Sequence, residues 1–146
     1  MERIIMAKVI FGNHSAVRVR RAERERIRKF YCDVLGCKLT RVLDDKDDLQ
    51  MGDSFHIAFL YSSGGQEADK GVIYAAEEPL SDEEFMKAIF LELKTDDVKE
   101  MREKIIAFGV KVLNVPDGHL YFQAPGGQVF RLLGISEELT KYEGSA

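Results

Sequence analysis

Cysteine, proline and histidine are all scarce in this 146-residue chain, at two, three and three copies. Cys32 and Cys37 do not make a CxxC motif, and no neighbouring Cys/His pair completes a zinc set, which argues against a structural zinc site. They read as reduced, partly buried thiols. Pro79, Pro116 and Pro125 all fall in turn or connection segments rather than inside periodic stretches. No apolar run approaches the roughly 20 residues needed to span a bilayer. Residues 1–12 lack the apolar core of a signal peptide, so a cytoplasmic protein without a membrane partner is expected. Net charge is −4, and no basic stripe with interleaved aromatics marks a nucleic-acid surface, so no nucleic-acid partner is expected. The densest basic run, residues 18–28, is interrupted by Glu23 and Glu25 and reads as a solvated helix face.

What is present suits one compact domain. A chain of this length can bury roughly 70% of its unfolded surface. Its 45% hydrophobic and 32% charged content is that of a globular protein. Residues 109–134 organise the sequence as three short strands, 110–115, 119–123 and 128–133, separated by Pro116-Asp-Gly and Ala124-Pro-Gly-Gly turns. Ahead of them Val98, Met101, Ile105 and Phe108 share helical spacing, and Gly109 suits a left-handed helix stop. An earlier stretch repeats the plan. With Gly36 laid on Gly109, Lys38 meets Lys111, Val42 meets Val115, Asp44 meets Asp117 and Gln50 meets Gln123 without a gap. The pattern is two copies of strand–helix–strand–strand–strand.

The first strands come from alternation. In residues 13–20, Ser15, Val17 and Val19 share one parity and His14, Ala16, Arg18 and Arg20 the other. Ile27, Phe30, Tyr31, Val34 and Leu35 then make an amphipathic helix stopped at Gly36. Residues 88–93 supply the matching strand of the second copy, which sets Ala88, Phe90 and Glu92 against His14, Ala16 and Arg18. Ser81 with Glu84 forms a capping-box pattern for a short helix before it, and residues 136–142 suggest a last short helix. The resulting division is module one at about 9–62, a linker at about 63–85, module two at about 86–135, and a tail at 136–146.

Three segments together, His14-Ser-Ala-Val-Arg-Val, Phe30-Tyr-Cys-Asp-Val-Leu-Gly36 and Phe122-Gln-Ala-Pro-Gly-Gly-Gln-Val-Phe-Arg-Leu, resemble the vicinal oxygen chelate superfamily. That group includes glyoxalase I, extradiol dioxygenases, and fosfomycin- and bleomycin-resistance proteins. The resemblance implies an α+β fold of two tandem βαβββ modules, forming a curved eight-stranded mixed sheet around a cup, with helices on its outer face. It also implies a small-molecule ligand in the cup and a homodimer. In the metal enzymes of the group, His, Gln and Glu from the first and last strands of each module chelate a divalent cation.

Carried onto this chain, those positions fall on His14, Ala88, Ala58 and Arg131, so three of four lack a donor. Arg131 cannot ligate. A dication about 4 Å from it would be repelled by roughly 8 kcal/mol at an effective dielectric near 20. The expectation is therefore a binding protein without a cofactor, taking a small anionic or polar ligand through His14, Arg18, His56, Phe90, Glu92 and Arg131. An ion pair between Arg18 and Glu92 is expected across the pseudo-twofold, with Arg131 facing either the ligand or Glu92. The alternative is a metal-dependent lyase or dioxygenase with a rearranged site using His14, and a third reading is a metal-free enzyme with His14 or Glu92 as the candidate catalytic base. His119 reads as an exposed polar residue.

Overall fold

The computed structural model describes residues 7–62, 74 and 79–137. The eight strands are β1 (His14–Val19), β2 (Lys38–Leu43), β3 (Lys46–Met51), β4 (Phe55–Tyr61), β5 (Phe90–Thr95), β6 (Lys111–Asn114), β7 (Leu120–Gln123) and β8 (Val129–Gly134). They stand in two four-stranded sheets, ordered β1-β4-β3-β2 and β5-β8-β7-β6, each mixing one parallel pair with two antiparallel pairs. This is the two-module architecture that the repeat implies, with the eight strands left as two separate sheets. The C-terminal helix expected at residues 136–142 falls mostly outside the described residues.

Each sheet carries one helix on one face. In module one, α1 (Arg24–Arg28) runs straight into a π-helical turn, Lys29–Val34, in which the Leu35 amide donates to the Phe30 carbonyl at 3.0 Å. α1 buries Ile27, and the wider turn still buries Phe30 and Tyr31. In module two, α3 (Val98–Phe108) starts at Asp97, whose carboxylate accepts from the Glu100 amide, and stops at Gly109 with φ of 95°. The short α2 (Asp82–Lys87) has the full capping box between Ser81 and Glu84.

One apolar core joins the helix-bearing faces of both modules. Phe30 of module one lies 5.1 Å from Phe108 and 5.8 Å from Phe122 of module two, ring centre to ring centre. Gly126, in the β7–β8 turn, tucks against Phe59, Ile27 and Val19 of module one. Both modules spend their helix side on this shared core, so their opposite faces look outward. No helix among the described residues is long and apolar enough to cross a membrane.

The basic run is not simply a solvated face. Arg24 and Arg28 both grip Asp47, which points from β3 into the core with no exposed surface. Arg28 donates to both carboxylate oxygens at 2.7 Å, Arg24 donates at 2.8 and 3.3 Å, and the Tyr61 hydroxyl donates at 3.0 Å. Arg24 and Arg21 also donate to the Asp44 carbonyl, at 2.6 and 2.8 Å. These arginines clamp helix to sheet. Burial pushes the Asp47 carboxyl up, but the hydrogen bonds from Arg28, Arg24 and Tyr61 outweigh it and hold the pKa at about 2.

Candidate functional site

The outward face of module one is built in rows, because strand partners in register point to the same side. The first row runs His14, His56, Gln50 and Lys38 across β1, β4, β3 and β2. The second holds Ala16, Ala58, Asp48 and Arg41, and the third Arg18, Leu60, Lys46 and Leu43. The wall is open, with His14, Ala16, Arg18 and all of β2 exposed. Lys46 lies 3.3 Å from Asp48. Arg18, Lys38 and Arg41 have no carboxylate partner among the described residues. That leaves an accessible wall with surplus positive charge.

Module two presents the same rows with different contents. Here β5 begins at Phe90, two residues later than its alternation suggests, because Ala88 is taken as the C-cap of α2. In the last strands His56 matches Val129 at the expected offset of 73, and their partners are His14 and Phe90, so the first strands are offset by 76 (90 − 14). Phe90, not Ala88, is therefore the counterpart of His14. Glu92 matches Ala16, and Lys94 matches Arg18.

This register corrects the expected ion pair. Glu92 is the strand partner of Arg131, and the two side chains form the salt bridge, whereas Arg18 stays apart from both. Arg131 is buried, donates to the Tyr121 hydroxyl at 3.1 Å, and lies 3.6 Å from Asp117. Phe90 covers its guanidinium at 4.7 Å. Burial opposes the Arg131 charge, but the bonds to Glu92 and Tyr121 prevail and raise its pKa. Burial likewise pushes the Asp117 carboxyl up, and the His119 amide and Tyr121 hydroxyl more than reverse it. His119 is not free on the surface: its side chain is 15% exposed and bonds Glu137 at 2.9 Å.

Over β6 to β8 this wall is covered by its own chain, while Phe90, Glu92 and Lys94 of β5 stay exposed. Phe85 of α2 is buried against Tyr121 and Val129. Gln123 accepts from the Leu80 amide at 2.8 Å, and Lys111 donates to the Leu80 carbonyl at 2.6 Å. The six expected ligand residues thus divide. His14, Arg18 and His56 share the open wall, while Phe90, Glu92 and Arg131 belong to an internally neutralised cluster.

The arrangement defines a class first: a tandem βαβββ protein with one open, cationic wall and one wall covered over its β6 to β8 strands. The family model described as Glyoxalase/Bleomycin resistance protein/Dioxygenase superfamily matches residues 13–132, and the chain belongs to that superfamily. Fosfomycin resistance protein FosX from Mesorhizobium loti aligns with a TM-score of 0.61 at 16% identity, over 95% of this chain and 99% of that one. An integron cassette protein from the mobile metagenome of V. cholerae aligns at 0.59 and 20% identity, over 90% and 100%. A glyoxalase/bleomycin resistance protein/dioxygenase from Nocardioides gives 0.60 and 16%, over 92% and 91%. At these identities the likeness concerns the fold. No functionally curated protein matches the sequence.

The metal of the superfamily's enzymes does not fit its usual four positions here. In the observed register they are His14, Ala58, Phe90 and Arg131. Two have no donor atom, and the third is a cation locked to Glu92. Among the described residues no three His, Cys, Asp or Glu side chains converge.

Proposed function

We propose that this protein binds a small anionic or polar molecule on the open wall of module one, in a cup completed by a second copy of the chain. One observation carries the reading: the wall bearing Arg18, Lys38 and Arg41 keeps its charge unneutralised, while Arg131 is consumed internally. Ion pairing and bidentate hydrogen bonding by an exposed guanidinium favour carboxylate or phosphonate groups. Homodimerisation is supported by the outward-facing walls and by the edge positions of β1 and β5 among the described strands, the latter flanked by Ile89 at 84% exposure. The protein then acts by sequestering its ligand in the cytoplasm, with no need of the usual metal.

Calorimetry with a panel of small carboxylates and phosphonates at low salt, together with light scattering for mass, tests this. Arg18→Ala should weaken the tightest ligand about tenfold, which is about 1.4 kcal/mol. Binding that survives Arg18→Ala but disappears in Arg131→Met would overturn it. A second reading, a metal-dependent lyase or dioxygenase with a rearranged site, is favoured by one feature only, the pairing of His14 with His56 in the first row.

A further inference from the structure

We propose that a cavity between the two modules, on the helix side of their sheets, is a separate binding site for a compact neutral aromatic molecule carrying one carbonyl oxygen. The cavity encloses about 180 Å3. That is room for one substituted ring, since an apolar cavity of about 150 Å3 already takes benzene. Its apolar walls are Val17, Ile57 and Phe59 of module one and Leu91 of module two, together with the β7–β8 turn at residues 126–128. Val17, Ile57 and Phe59 pack in the shared core, not on the outward rows that carry Arg18. The site is therefore distinct from the open wall, and neither needs the other.

Two polar groups set what the cavity accepts. Tyr31 lines it with no exposed surface, and the buried Tyr31 hydroxyl has no hydrogen-bond partner among the described residues. Its ring packs against Phe30 and Phe59 at 5.7 and 5.1 Å, centre to centre, so the phenol is held in place. Leaving a buried hydroxyl unpaired is costly, and an acceptor oxygen on a ligand removes that cost. Burial pushes the phenol's pKa up, which keeps it a neutral donor. The second group is backbone. β1 borders only β4 among the described strands. The Asn13 and Val19 carbonyls accept from the His56 and Ser62 amides at 2.8 and 3.1 Å, so the odd-numbered residues of β1 bond toward β4. Ala16, between them, turns its N–H and C=O to the open edge. Its side chain lies on the outward wall, so what Ala16 lends the cavity is that backbone. A carbonyl oxygen has two lone pairs and suits a wall with two donors. No lysine or arginine lines the cavity, so an ionised carboxylate would shed its water there without a countercharge. The acceptor is therefore a neutral carbonyl.

The test uses the full chain with acetophenone, toluene and benzoate as probes, read by NMR of ring-labelled tyrosine and phenylalanine. Acetophenone should bind saturably at one molecule per chain, with the Tyr31 and Phe59 signals moving together. Toluene, a ring without an acceptor, should bind about three- to tenfold more weakly, the worth of one hydrogen bond. Benzoate should leave both signals still. Tyr31→Phe should weaken acetophenone by the same three- to tenfold, roughly, yet keep toluene within about twofold, a split that a merely structural role for the hydroxyl does not give. Leu91→Trp, at a position 38% exposed, should fill the cavity and abolish binding of both. The proposal is overturned if neither signal moves at millimolar acetophenone, which would make the cavity a water site only. It is equally overturned if benzoate moves them more than acetophenone does, or if Tyr31→Phe weakens toluene as much as acetophenone. The three-probe comparison on the unsubstituted protein stands even if a variant folds poorly. Acetophenone should not displace an anion from the open wall, and competition between them would refute the separation of the two sites.

Discussion

Replacing Asp47 by Asn should be the most damaging isosteric change in module one. The carboxylate has no exposed surface and takes hydrogen bonds from two guanidinium groups and one phenol. Asn keeps the shape but loses the charge, leaving two arginines facing a neutral amide. Breaking a buried pair commonly costs about 3–5 kcal/mol. Here Arg24 and Arg28 side chains are 14% and 27% exposed, so water recovers part of the loss. A net loss of about 2–4 kcal/mol follows, or roughly 6–12 °C in Tm at about 3 °C per kcal/mol for a chain of this size. The pH dependence gives an independent check. The Asp47 pKa falls from the ordinary 3.8 to about 2 on folding, so the ionised group stabilises the fold above pH 3.8 and that contribution is lost as pH drops toward 2. A shift of this size corresponds to about 2 kcal/mol. Urea unfolding of both proteins from pH 7 to pH 2 is the assay. The gap between them should be full at pH 5–7 and should shrink between pH 4 and 2. A gap below about 1 kcal/mol at pH 7, or one that does not change with pH, refutes the clamp.

Three further outcomes are expected. Arg131→Met should cost about 2–4 kcal/mol in urea unfolding, by stranding the partly exposed Glu92 and Asp117, yet leave ligand affinity within about twofold. Gly126→Ala should lower stability by about 1–3 kcal/mol, because the residue has φ of 91° and a new Cβ would sit 3.1 Å from Phe59 and 3.3 Å from Ile27; a thermal melt measures it. Cys37 should resist iodoacetamide at pH 8 until the protein unfolds, since burial pushes its thiol up to about 12, and mass spectrometry of timed aliquots reads this directly.

The fold was legible because the repeat is written in apolar phase. Leu49 pairs with Ile57, and Phe122 pairs with Phe130 at the offset read from Gly36 and Gly109. The first strand of module two was less legible. No glycine or identical residue anchors it, and alternation alone does not say where α2 releases the chain. That two-residue slip moved Ala88 into the place of Phe90 and paired Glu92 with the wrong arginine. The Asp47 clamp was missed because its partners lie 19 and 23 residues away. A signal existed, though. Asp47 shares the parity of Leu49 and Met51, so a carboxylate on the core side of a strand called for a buried cation. The sealing of module two's wall by Phe85 leaves no periodic trace, because one aromatic in a six-residue helix has no pattern around it.

The common interior has a consequence for how this duplicated chain can vary. Phe30, Phe108 and Phe122 belong to both halves at once, so an altered interior residue in one half must be answered by the other. Freedom to change lies on the two outer walls, which face away from that shared interior. One of them is covered over most of its strands, and the other is left bare and charged. A scaffold of this kind can acquire a new specificity on its bare side without renegotiating the bond between its halves.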